Sequence, residues 1–258
     1  MVIKMQLDLS HSKVEQCAEL RNKALEHVRS LKSGEIPFTG WVSLPENFDE
    51  DLLARIKKIA DEIANKCSYF VVIGIGGSYL GANAVIEALG GKAGRPEVDF
   101  SGYDMSGSQM AKVIERMQEE ETCICAISKS GNTLETILAY SILKDEMIKK
   151  YGSNAKDRIY ILAGPGEGTL RKEAEEEGLE LFDVPEDIGG RYSVLSVVGL
   201  LPIAVAGLDT SALLAGARSI SDDRKCADYA CTRVALQKLG KSMEIFSYFD
   251  VRLRSFGD

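Results

Sequence analysis

The sequence predicts an α/β fold, a doubly wound parallel sheet flanked by helices, with an N-terminal helical extension. Three observations carry this expectation. The runs Tyr69 to Ile75 and Cys123 to Ile127 are apolar and rich in β-branched residues, as strands buried on both faces are. Each run meets a short turn of glycine or serine and then a helical pattern. From residue 67 to residue 183 strands and helices alternate at a spacing that demands parallel strands joined by helical crossovers.

Taken in order, Val14 to Leu31 has apolar residues at a helical period, with Ser12 and Glu15 placed as a capping box. Ser33 to Asn47 is a connector holding Gly34, Pro37, Gly40 and Pro45, with Trp41 expected to anchor it. Glu50 to Asn65 is a second helix, with Leu52, Leu53, Ile56, Ile59, Ala60 and Ile63 on its inner face. The strand Tyr69 to Ile75 leads through Gly74, Gly76, Gly77 and Ser78 into a helix starting at Leu80. Then come a strand at Glu97 to Ser101, a helix at Ser106 to Gln118 and a strand at Thr122 to Ser128. Leu134 to Lys150 is a helix, Arg158 to Leu162 a strand, Gly168 to Glu177 a helix and Leu179 to Phe182 a strand. Past Asp183 helices dominate, at Leu195 to Ala206, Ser211 to Ser221 and Ala227 to Leu239. Met243 to Phe249 reads as a further strand.

Composition narrows the function classes. The 258 residues suffice to bury a core, and 45% hydrophobic with 27% charged residues is ordinary for a globular protein. A formal net charge of −8 argues against a general nucleic-acid surface. Six cysteines without a Cys-x-x-Cys pair, beside two histidines, give no zinc pattern. Cys123 and Cys125 alternate on one strand face and are expected to be buried thiols. Met1 to Ser12 lacks an apolar signal core, so a reducing cytoplasm is expected. Tyr192 to Leu208 is uncharged, contains Pro202 and is shorter than the roughly 20 residues of a membrane span. A buried core helix is expected there.

Three stretches carry chemistry. The glycine turn at 74–78 places free backbone N–H groups and the Ser78 hydroxyl at a helix N-terminus, which suits an anion. It lacks the third glycine of a dinucleotide fingerprint, where Tyr79 stands, and no Gly-Lys-Ser or Gly-Lys-Thr tripeptide occurs. Ser128-Lys129-Ser130-Gly131-Asn132-Thr133 brings three hydroxyls, an ammonium and an open turn to a second helix N-terminus. A phosphate monoester wants these groups. Asp187-Ile188-Gly189-Gly190-Arg191-Tyr192-Ser193 pairs glycines that admit close backbone approach with a planar cation.

Together, Gly-Ile-Gly-Gly-Ser-Tyr-Leu-Gly, Ser-Lys-Ser-Gly-Asn-Thr and Gly-Gly-Arg-Tyr-Ser, in this order, resemble the glucose-6-phosphate isomerase family. The connector Pro37-Phe38-Thr39-Gly40-Trp41 resembles its bacterial branch. The resemblance implies sugar-isomerase (SIS) domains and a cofactor-free interconversion of glucose 6-phosphate and fructose 6-phosphate through a cis-enediol. By match to the family motifs, Ser78, Ser128, Lys129, Ser130 and Thr133 would hold the phosphate, Gly77 and Gly190 would line the sugar, and Arg191 would stabilise the enediolate. It also implies a homodimer for the complete enzyme.

The chain departs from the family where proton transfer is concerned. The family's glutamate base lies in a Gly-Glu-Ser-Glu-Gly-Lys-like segment that does not occur here. His11 and His27 match no family role, and Glu135 in the first turn of a helix reads as a dipole partner. The expectation is an N-terminal portion: 1–48 a helix and connector, 49–208 a first SIS domain, and 209–258 a helical linker with the start of a truncated second one. Apolar surface is expected after Gly207, with self-association of the isolated chain. The alternative is a short SIS module that binds a sugar phosphate without catalysis.

Overall fold

The computed structural model describes residues 18–220 and 222–257. Five strands form one sheet: β1 (Tyr69–Ile73), β2 (Glu97–Ser101), β3 (Thr122–Ser128), β4 (Ile159–Ala163) and β5 (Glu180–Asp183). Their order is β2-β1-β3-β4-β5 and every pairing is parallel. The register sets Tyr69 beside Glu97 on one edge of β1 and beside Thr122 on the other. Chain direction across the sheet therefore reverses between β1 and β3. That is the switch point at which open α/β sheets leave a crevice beyond the strand ends.

Period-two alternation sorts the strand residues between two cores. Phe70, Val72, Cys123, Cys125, Ile127 and Leu162 face one side. There they meet α2 (Glu50–Lys66), α7 (Val197–Val205) and α8 (Thr210–Arg218). Tyr69, Val71, Ile73, Ile124, Ala126 and Ile161 face the other. They pack on α4 (Gly107–Glu119), α5 (Leu134–Tyr151) and α6 (Thr169–Glu177). The helix α3 (Leu80–Leu89) buries Ala82 and Val85 against Ile203. Cys123 and Cys125 are buried as expected, and desolvation pushes the Cys125 thiol pKa up.

Local chemistry accounts for several helix starts. Asp49 caps α2 by accepting from the N–H groups of Asp51 and Leu52, and Ser106 caps α4 through Gln109 N–H. In α2, Leu53, Ile56, Ile59, Ala60 and Ile63 are buried, the stripe predicted by periodicity, with Leu52 at its margin. Every residue of α7 is buried, so the apolar run around Pro202 is core. Among the described residues no helix is long and apolar enough to cross a membrane.

Outside the sheet the structure differs from expectation in places. The helix read from Val14 is α1 (Ala18–Ser33); Ser12, Glu15 and its other early residues lie outside the described ones. It packs Leu20 and Ala24 against Cys231 and Ala235 of α9 (Asp223–Lys238). β1 ends at Ile73, because Gly74 to Ser78 turns into a single 3₁₀ turn. α3 starts at Leu80 as expected, and Leu80 itself is exposed. Met243 to Phe249 forms no strand. No described strand lies beside it, and a strand without a neighbour leaves its backbone ladder unpaired.

Candidate active site

Two turns meet at the β1/β3 switch point. Their cleft, about 510 Å³, is lined by Ile75, Gly77, Ser78, Ser128, Lys129, Ser130, Thr133, Thr136 and Gly190. The structure thus brings together all seven residues singled out for ligand binding. They come from three stretches distant in sequence and close in space.

The centre of the cleft is a group of hydroxyls at the N-terminus of α5. Ser128 Oγ lies 2.9 Å from Thr133 Oγ1 and 3.5 Å from Ser130 Oγ, and Ser130 Oγ lies 3.4 Å from Thr133 Oγ1. Ser130 Oγ also accepts from Asn132 N–H at 3.2 Å. Thr133 occupies the N-cap position of α5, yet its side chain accepts no cap hydrogen bond. The helix's first N–H groups and its positive end are therefore aimed at the same space as the hydroxyls. Gly131, at φ +67°, makes the turn possible; a Cβ there would lie 2.8 Å from the Gly168 Cα.

The first turn supports the cleft from the opposite side. A Cβ on Gly77 would lie 1.8 Å from the Gly190 carbonyl oxygen, so only glycine lets the two loops touch. The Ser193 hydroxyl joins them, 2.6 Å from the Gly190 carbonyl and 3.0 Å from that of Gly77. Ser193 is buried and Arg191 exposed. Arg191 stands beside Gly190 at the rim and is not part of the cleft lining. Its guanidinium makes no hydrogen bond or ion pair among the described residues.

Lys129 lines the cleft and has backbone partners of its own. Its ammonium donates to the carbonyls of Glu186 at 2.6 Å and Ile188 at 2.9 Å. It also lies 5.2 Å from the Phe38 ring centroid. The connector reaches the same loop: Gly40 N–H donates to Asp187 O at 3.1 Å, and Thr39 bridges Ile188. Trp41 does anchor the connector, by stacking on Tyr192 at 4.4 Å with planes 9° apart.

No group of three or more His, Cys, Asp or Glu side chains is placed to hold a metal among the described residues. The cleft lining contains no carboxylate or histidine. Glu135 lines a separate groove of about 390 Å³ between α4 and α5, with Met110, Leu138 and Ile142.

A family model described as phosphoglucose isomerase matches residues 21–231. The chain belongs to that family. Glucose-6-phosphate isomerase of Pediococcus pentosaceus is 44% identical over 240 residues, covering 86% of this chain and 54% of that protein. The enzyme of the same name from Clostridium novyi is 39% identical over 279 residues, covering 98% and 62%. The chain thus spans about half the length of the curated relatives it matches. A crystal structure of a hypothetical protein from Thermus thermophilus superposes with a TM-score of 0.76 at 30% identity, covering 88% of this chain and 54% of that one. A glucose-6-phosphate isomerase from Chlamydia trachomatis agrees in fold, with a TM-score of 0.72 at 19% identity, over 90% and 51%.

Single motifs do not mark all the residues that support this cleft. Ser193 was legible only as part of Gly-Gly-Arg-Tyr-Ser. Thr136, fully buried and one turn beyond Thr133, lines the cleft, and helical spacing was its signal. The loop after β4 was also missed. There Thr169 donates twice to Asn132 Oδ1, at 2.9 and 3.0 Å, and Gly164 N–H donates to Lys129 O at 3.1 Å. Its signal was the glycine cluster Gly164, Gly166 and Gly168.

Proposed function

We propose that this chain carries the sugar-phosphate-binding part of a glucose-6-phosphate isomerase, which interconverts glucose 6-phosphate and fructose 6-phosphate. The observation that carries the proposal is the convergence of three hydroxyls, the α5 N-terminus and the Gly77–Gly190 contact on one open cleft. Ser78, Ser128, Ser130 and Thr133 donate to the phosphate oxygens. The helix end supplies positive potential worth up to about 2 kcal/mol in a partly buried site. Gly77 and Gly190 keep the wall thin where the sugar lies. Arg191, without a side-chain partner among the described residues, faces the negative charge that develops on the enediolate.

Proton abstraction beside a carbonyl needs a base within hydrogen-bond reach, and the cleft lining offers none. The base therefore belongs to the part of the family's length that lies outside the match. In this reading 49–208 is the first SIS domain, and 209–258 leads into a second. The complete protein is a cytoplasmic homodimer.

Calorimetric titration with glucose 6-phosphate tests the assignment. The Ser130→Ala/Thr133→Ala double variant is expected to lose at least about 10-fold in affinity, as hydrogen bonds to a charged group are removed. Unchanged affinity would sink the cradle. A coupled isomerase assay on the 258-residue chain is expected to show no turnover above background.

A further inference from the structure

We infer that Lys129 is a positioning residue. Its ammonium latches the loop carrying Gly190 and Arg191 onto the phosphate turn, instead of neutralising the phosphate. The inference rests on the sugar-phosphate reading of the cleft and assigns a different task to one of its residues.

The geometry is specific. Lys129 follows directly on β3, within the phosphate turn, yet its Nζ lies at 2.6 Å from Glu186 O and 2.9 Å from Ile188 O. These carbonyls flank Asp187, and Ile188 precedes Arg191 by three residues. An ammonium has three donors, and two are committed here to backbone oxygens of another loop. Carbonyl dipoles hold the charge at that loop.

The far side of the same loop is held by the connector. Gly40 N–H binds Asp187 O, Thr39 bridges Ile188, and Trp41 stacks on Tyr192. Phe38 closes the arrangement. It is a non-glycine residue at φ +63°, it is 62% exposed, and its ring lies 5.2 Å from the Lys129 ammonium. An aromatic residue persists in the left-handed region only where its surroundings over-determine it. Burial does not do so here, so the contacts around Lys129 and the 186–192 loop must. Residues 186–192 are thus clamped between Lys129 and the strap 38–41. Phosphate recognition stays with the hydroxyls and the helix end, which need no side-chain cation.

The two roles separate by ligand. Lys129→Met is titrated with inorganic phosphate and with glucose 6-phosphate, and the fluorescence of Trp41, the sole tryptophan, reports the stack on Tyr192. A latch predicts that inorganic phosphate affinity stays within about 3-fold, whereas glucose 6-phosphate affinity falls roughly 10-fold. Trp41 emission shifts to the red and becomes more accessible to acrylamide. Phe38→Ala, which keeps the charge, shifts the same readings by less, and it carries the test if Lys129→Met does not fold by circular dichroism. A loss of roughly 10-fold or more for inorganic phosphate would show that Lys129 is the phosphate's counter-charge. No change in either ligand or in Trp41 would show that there is no latch. Both outcomes overturn the inference. Failure of the cradle itself is distinguishable, because Ser130→Ala/Thr133→Ala would then leave both ligands unaffected.

Discussion

Residues 69–73 and 243–249 draw on the same apolar vocabulary and end in opposite states. Tyr69, Phe70, Val71, Val72 and Ile73 are all 0% exposed, whereas Met243, Ile245 and Phe246 are 87%, 84% and 71% exposed. The difference lies in their neighbours. β1 has β2 and β3 on its two edges and helices over both faces, so each backbone group and each side chain finds a partner. The later segment lacks a strand on either edge among the described residues. Apolar composition makes a strand possible, and a paired edge makes it form. The α1–α9 pair lies between these extremes. It has a small apolar contact, Leu20 and Ala24 on Cys231 and Ala235, and ion pairs from Arg21 to Asp228 and from Lys32 to Asp223.

The contrast can be broken first at the sheet. Phe70→Ala removes a fully buried ring and is expected to cost about 3–5 kcal/mol by chemical denaturation. A cost below about 1 kcal/mol would mean that β1 is no better supported than the periphery. Next comes Arg21→Met. The Arg21 side chain is 41% exposed, so solvent screening limits the pair, and about 1 kcal/mol or less is expected, shrinking further in added salt. A loss independent of salt would show that the guanidinium acts by packing. The smallest effect belongs to the terminal segment. Ile245→Ser/Phe249→Ser should leave stability within about 0.5 kcal/mol while light scattering shows less self-association than for the unaltered chain. A drop of roughly 2 kcal/mol or more would place these side chains in a buried interface.

Legibility followed the range of the interactions involved. β2 and β3 have the predicted boundaries because their ends coincide with turn residues, and α2 has the predicted stripe because helical burial repeats locally. The three site motifs were legible for the same reason: a glycine or hydroxyl at a strand–helix junction has a local job. The 243–249 segment differs from its strand pattern, since pairing depends on what lies across from a residue. Thr136 lines the cleft, and Ser193 and the loop after β4 bond to the turns that form it; contact is a property of the folded chain.

Lys129 shows where the division falls. Residue type and position determined that an ammonium follows β3, between two hydroxyls, at the mouth of a parallel sheet; strand termination and helix initiation act over a few residues, so this much is local. Which oxygens that ammonium reaches was decided only by the tertiary structure. A flexible lysine stem can point into the cradle or away from it. The carbonyls of Glu186 and Ile188, brought 57 and 59 residues back along the chain to within hydrogen-bond distance, set the direction.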